Sequence, residues 1–314
     1  MGELTVGGQA VIEGVMMKAP RRLCVAVRRP SGALVLKNDP FRPLSARWRF
    51  LAWPFLRGPV VLIETLVHGL KALSFSANQA LEEEDGQAEI GSWALALTMI
   101  GAVAAGMGLF VALPHLLSLW LGRLSSLGYD ENSLAFHLID GVIKVAIFVA
   151  YLWLISLMRD IKRVFEYHGA EHKSIYCFEA GMPLTVENAR AFSRLHPRCG
   201  TAFLLVVLAV SIAAFAIIFP LLPKFSPQAW LNQLIQICLK IALMLPIAGV
   251  SYEVIRAAGK KGGQGVWGVL LWPGLQMQRL TTREPDDAQI EVALTALRAA
   301  VDTAEGEQAS LTCL

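Results

Sequence analysis

The residues with chemical reach in this chain gather in two short runs. Glu166-Tyr167-His168-Gly169-Ala170-Glu171-His172 contains the pattern H-x-x-E-H. On a helix, His168 and His172 fall one turn apart on one face. Two imidazoles so placed can hold a Zn²⁺ or another divalent transition metal, with Glu171 beside them as a general base. The second run, His196-Pro197-Arg198-Cys199, adds an imidazole and a thiol. Three of the chain's six histidines lie in these two runs.

Several kinds of chemistry fit these donors. Polar residues beside a membrane can simply meet phosphate headgroups. His168, His172, His196 and Cys199 together would make a closed, four-coordinate structural zinc knot. His168 and His172 with one further ligand, Glu253 or His196, would leave a coordination position open to water. Glu171 would then act as base in the hydrolysis of an amide or ester. Cys199 is a candidate ligand; taken alone it reads first as a small buried residue at a helix start, and only second as a nucleophile paired with His196. Glu166 is a further acidic candidate. Glu13 sits within the apolar run Gln9 to Met17, where a carboxylate needs a partner. Arg57 or Arg22 would serve, or Glu13 contributes to the site itself. The Gly7-Gly8 pair lacks the spacing of a phosphate-binding loop, and nothing in the chain points to a nucleic-acid partner.

The elements that must position these groups are mostly membrane helices. The 314 residues are 55% hydrophobic and 17% charged, with mean hydropathy +0.51, a balance that excludes an ordinary soluble enzyme and makes the lipid bilayer the first partner. The first twenty residues carry charges and no long apolar core, so no secretory signal is expected there. Four stretches reach the length of about 20 residues that a crossing needs. These are Trp93 to Leu113, Phe136 to Met158, Ala202 to Leu222 and Leu231 to Ile255. The connections 122–134 and 223–229 hold one basic residue each, whereas 159–200 holds seven and the first 91 residues hold eleven. The positive-inside rule therefore places both termini and the 159–200 loop in the cytoplasm. His168, His172, His196, Cys199 and Glu253 then lie near the cytoplasmic ends of three neighbouring helices. Lys144 and Lys240 fall inside crossings, where charge is costly, and Asp140 stands one turn from Lys144. The five cysteines show no disulfide spacing and read as reduced thiols.

Outside the crossings, Gln9 to Met17, Leu23 to Arg28 and Ala33 to Lys37 predict a small cytoplasmic β-meander, with Pro30-Ser31-Gly32 turning between the last two. Residues 59–81 predict an amphipathic interfacial helix. Val266 to Leu275 is too short to span and contains Pro273, so an interfacial or re-entrant segment is expected. Arg279 to Pro285 reads as a polar linker capping a last helix, Pro285 to Val301. The fold class is thus a mainly α membrane protein with four transmembrane helices, amphipathic interfacial helices and a small N-terminal β-meander. It divides into a β domain (1–45), an interfacial helix region (46–91), the four-helix membrane domain (92–258) and a C-terminal helical region and tail (259–314). A non-catalytic membrane scaffold, or a factor acting beside protein-insertion or translocation machinery with membrane-protein partners, is the competing function class.

The segments GGQAVIEGVMM (7–17), SAN (76–78), FEYHGAEHK (165–173), HPRCGT (196–201), SYE (251–253) and PGLQMQRLTTREP (273–285) resemble a known family. Together they are similar to the YqhQ-like family of bacterial multi-pass membrane proteins. The resemblance runs from about residue 5 to 302. It implies a four-span protein of the bacterial cytoplasmic (inner) membrane and a metal-dependent enzyme, without naming a substrate.

Overall fold

A computed structural model describes residues 6–81, 92–124, 133–260 and 265–311. The described chain begins with four antiparallel strands in the order β1-β2-β3-β4. They are β1 (Gly7–Val11), β2 (Gly14–Lys18), β3 (Arg22–Arg28) and β4 (Leu34–Pro40). The expected meander is present, with one difference in its first arm. The run from Gln9 to Met17 is two strands, closed by a tight turn between paired Val11 and Gly14. Glu13 occupies that turn at φ 49° rather than the middle of a strand, because a two-residue hairpin loop needs left-handed backbone.

The sheet is the middle layer of a small α/β domain. Successive side chains of a strand point to opposite faces, and both faces of β2 and β3 are covered. Val15, Met17, Cys24 and Ala26 pack against Tyr167 and Ala170 of α6 (Arg159–Glu179) and against Ile290, Leu294 and Leu297 of α11 (Asp287–Leu311). On the other face, Met16, Leu23, Val25 and Val27 meet Ala72 and Phe75 of α2 (Arg57–Leu81). Before α2 comes the short α1 (Leu44–Arg47). The four strands, residues 7–40, therefore supply one layer of a domain whose other layers come from three distant parts of the chain. Burial between two helical layers also explains why these strands read as apolar runs rather than as alternating ones. The last helix opens on a capping box: Gln289 N–H donates to Asp286 Oδ1 at 2.8 Å and Asp286 N–H to Gln289 Oε1 at 2.9 Å.

The remaining helices form an apolar bundle. They are α3 (Ser92–Met107) and α4 (Leu113–Leu124), continuous through a π-helical segment Gly108–Ala112, then α5 (Leu134–Ile155), α8 (Gly200–Ile218), α9 (Ala229–Lys260) and α10 (Val266–Thr281). A one-turn helix, α7 (Val186–Arg190), lies between α6 and α8. Among the described residues, five helices are long and apolar enough to cross a membrane, one more than the sequence reading counts. Four of them match the expected crossings. The fifth, Arg57–Ala80, is the expected interfacial helix, and its mean hydropathy of 1.4 is below the 2.0 to 3.0 of the others. It lies along the α/β domain for much of its length. Glu64 accepts the Leu44 N–H at 2.5 Å, Ser76 Oγ accepts the Ile12 N–H at 3.2 Å, and Gln79 accepts from Arg29 at 2.6 Å. Leu62, Ile63, Leu66 and Leu73 stay exposed on its free side. The segment Val266 to Leu275 is helical within α10.

Candidate metal centre

His168 and His172 stand on α6 as their spacing predicts, with ring centroids 4.4 Å apart. Cys199 reaches them from the residue preceding α8. The donor atoms of His168, His172 and Cys199 all lie within 4.8 Å of one another, and His168 Nε2 is 3.1 Å from Cys199 Sγ. Donors around a tetrahedral zinc sit about 3.3 to 3.8 Å apart, so these three need only small side-chain adjustments to share one ion.

Each imidazole is oriented by a backbone carbonyl. His168 Nδ1 lies 2.8 Å from Thr281 O and His172 Nδ1 lies 2.5 Å from Arg194 O. A carbonyl can only accept, so each Nδ1 carries the ring hydrogen and each Nε2 keeps its lone pair. Such outer hydrogen bonds are what metal-bound histidines require. The Thr281 carbonyl belongs to a strap, residues 281–285, that runs across α6. Arg283 N–H donates to Phe165 O at 2.8 Å. The approach is possible because residue 169 is glycine: a Cβ there would collide with the Arg283 carbonyl. Arg194 binds the same strap, with Nη1 donating to Thr282 Oγ1 at 2.9 Å, and Lys173 pairs with Glu284 at 2.5 Å. The segment expected as a polar linker to α11 thus also holds the site. Its role was carried by the 273–285 resemblance motif and not by any ligand-type residue.

His196 adjoins the group without joining it. Its ring centroid is 5.5 Å from that of His172 and 4.5 Å from that of Tyr176. Gln278 clamps its backbone, accepting from His196 N–H at 2.7 Å and donating to His196 O at 2.8 Å. Its Nδ1 accepts the Arg198 N–H at 3.2 Å, which places the ring hydrogen on Nε2. That atom is buried, has no hydrogen-bond partner, and lies 3.6 Å from Glu179 Oε2. Burial pushes the His196 imidazole down to about 4, so the ring is neutral and presents an N–H. In this orientation His196 is a donor rather than a ligand.

Glu171 is buried on the β1 side of α6, packed where a Cβ on Gly8 would strike its side chain. Burial raises its carboxyl above the usual range, opposed by the nearby His168 and His196 and by the Ala10 backbone. Burial likewise lowers His172, opposed first by its hydrogen bond with Cys199. The other candidates sit elsewhere. Glu253 pairs with Arg57 Nε at 2.6 Å, tying α9 to the start of α2. Glu166 accepts from Gln289 Nε2 at 2.8 Å and braces α11. Glu13 is held by Arg163, Nη2 to Oε2 at 2.5 Å, and by the Tyr167 hydroxyl at 3.2 Å. Its partner is therefore an α6 arginine, and neither Arg57 nor Arg22. Cys24, Cys177, Cys199 and Cys238 are free thiols, and Cys313 lies outside the described residues.

Comparison with known proteins gives a consistent picture. A family model described as "Protein of unknown function (DUF1385)" matches residues 53–303. The chain is 34% identical over 297 residues to the "Uncharacterized protein YqhQ" of Bacillus subtilis (strain 168), covering 92% of this chain and 89% of that one. No solved structure matches.

Proposed function

The chain belongs to the DUF1385 family and is a relative of YqhQ, and from its geometry we propose that it is a four-span membrane protein with a zinc-dependent hydrolytic site at its cytoplasmic face. Parity supports this crossing count. The sheet precedes α2, α6 falls between α5 and α8, and α11 follows α10, yet all three pack in one domain. An even number of crossings must separate them. The continuous α3–α4 helix with α5 makes one such pair, and α8 with α9 the other. Counting α2 as a fifth crossing would put the sheet and α6 on opposite sides. The basic residues are concentrated in the segments that flank this domain, which supports the reading that it and both termini are cytoplasmic in a bacterial inner-membrane protein.

The observation that carries the metal reading is the pair of carbonyl-held imidazoles aimed at Cys199. His168, His172 and Cys199 would hold the ion, which when bound acts as a Lewis acid toward water and a carbonyl substrate. Three ligands leave a fourth position, and His196, with its hydrogen on Nε2, does not fill it. It would instead donate to an oxyanion developing there. Glu171, a carboxyl kept protonatable by burial, would take and return the proton. Amides or esters presented at the membrane surface are the substrate class.

The test is turnover of a panel of amide and ester substrates by the purified, zinc-loaded protein. Glu171→Gln is expected to keep the metal and lose turnover, and His196→Gln to lower kcat more than it raises KM. A zinc-loaded wild type that cleaves nothing, but unfolds when the ion is chelated, would make the site a structural staple between α6 and α8. That outcome would favour the scaffold class.

A further inference from the structure

The bundle core holds a second concentration of ionisable groups, remote in sequence from the His/Cys site. His115 on α4, His137, Asp140 and Lys144 on α5, and Lys240 on α9 are between 0 and 3% exposed. Lys240 Nζ donates to Asp140 Oδ2 at 2.8 Å and to His115 Nδ1 at 3.0 Å. Because Nδ1 accepts, Nε2 of His115 carries the ring hydrogen, and it meets Gln233 Oε1 at 2.6 Å. Gln233 in turn lines a cavity of about 470 Å³, together with Arg123, Phe136, Lys224 and Asn232. A continuous hydrogen-bonded chain, Gln233–His115–Lys240–Asp140, thus leads from that cavity into the core. Lys240 lies eleven residues along α9 from Ala229, a depth of about 16 Å.

The charges in this core do not balance. One carboxylate faces two ammonium groups, since Lys144 Nζ is 3.7 Å from the same Asp140 Oδ2 and has no hydrogen-bond partner. His137 has no hydrogen-bond partner at either ring nitrogen. From α8 and the turn after it come ring faces, Phe215 at 5.4 Å and Phe219 at 5.6 Å from Lys240 Nζ. An aromatic face offsets only part of the cost of a buried cation, and an unpaired charge in a low-dielectric core costs more than that. Removal of one proton would leave Asp140 and Lys144 as a neutral pair.

We propose that Lys240, His115 and Asp140 form a proton-exchange site in the bundle core, served from the cavity at the end of the bundle opposite the His/Cys site. The Lys240 ammonium gives a proton to His115 Nδ1, and the Nε2 proton of His115 leaves past Gln233 to solvent water. The products are a Lys240 amine, a neutral His115 with its hydrogen on Nδ1, and one proton in the cavity. Uptake is the reverse. Lys240 is the exchanging lysine because it alone touches a base with an exit.

Ring-nitrogen NMR of the full chain in lipid nanodiscs, with ¹⁵N-labelled histidine, reads this directly. The His115 signal is assigned by its loss in His115→Phe. In the wild type it is expected to be neutral with the hydrogen on Nε2, and to change tautomer as pH is raised through about 5 to 9. Lys240→Arg keeps the charge but cannot release a proton in that range, and Lys240→Met removes the charge; both are expected to lose the response. Gln233→Leu should keep the end points and slow exchange of the ring hydrogen with solvent. Unchanged His168 and His172 signals certify folding. A His115 signal that ignores pH in the wild type, or that responds equally in Lys240→Arg, overturns the proposal.

Discussion

His168 and Cys199 meet at 3.1 Å across 31 residues of chain. One stands on a helix of the α/β domain and the other at the head of a bundle helix, so the contact joins the two halves of the molecule. Whatever binds there senses their relative position.

That contact depends on the strap, and the strap depends on residue 169. Gly169→Ala would drive a methyl group into the Arg283 carbonyl and lift Thr281 from His168. Overpacking of this kind costs about 1 to 3 kcal/mol, and loss of an outer hydrogen bond weakens metal affinity about 10- to 100-fold. Thermal unfolding and chelator competition measure the two effects. Wild-type values for both would show that the strap does not orient His168.

His196 gives the protein a defined acid sensitivity. Its folded-state value is about 4 against an ordinary 6.5, so between those values the unfolded chain binds a proton that the native state refuses. The stability it contributes is full above about pH 6.5 and is lost as pH falls toward 4, by at most about 3 kcal/mol. His196→Gln should flatten that slope in denaturant titrations of the metal-free protein. Glu171, raised by burial, acts in the opposite sense, its contribution fading as pH rises above the ordinary carboxylate range.

Charge balance in the core predicts an asymmetry between neutralising substitutions. Lys144→Met leaves Asp140 paired with Lys240 at 2.8 Å, whereas Asp140→Asn leaves two buried ammonium groups without a counter-charge. The first should be near neutral in stability and the second should cost about 3 to 5 kcal/mol. Detergent-solubilised thermal stability compares them, and equal effects would contradict the charge assignment.

The topology is directly measurable. Reporters fused near residue 180 and after Leu314 should both be cytoplasmic, and one inserted near Lys224 should face the other side. A reporter after Leu314 on the side opposite residue 180 would break the four-span account.

Much of this arrangement was legible in the residues. The H-x-x-E-H spacing fixes which two rings share a face, and apolar length fixes four of the five long helices. The meander was visible too, although a two-residue turn around Glu13 leaves no glycine at its positive-φ position to mark it. What was hidden has a common cause. Thr281, Arg194 and Gln278 act through backbone carbonyls or amide contacts formed across 22 to 113 residues of chain, and no local spacing encodes that. His115 and His137 lie on different helices, which only the bundle brings beside Lys240. The amphipathic reading of α2 and its qualification by length and composition differ for a related reason: its apolar residues serve both the sheet and an exposed face.

The metal content of the full-length protein, purified in detergent without added chelator, tests the central claim most directly. About one zinc per chain is expected, lost in the double variant His168→Ala with His172→Ala and strongly reduced in Cys199→Ser. A well-folded wild type with no stoichiometric metal, or a double variant that retains it, would contradict it.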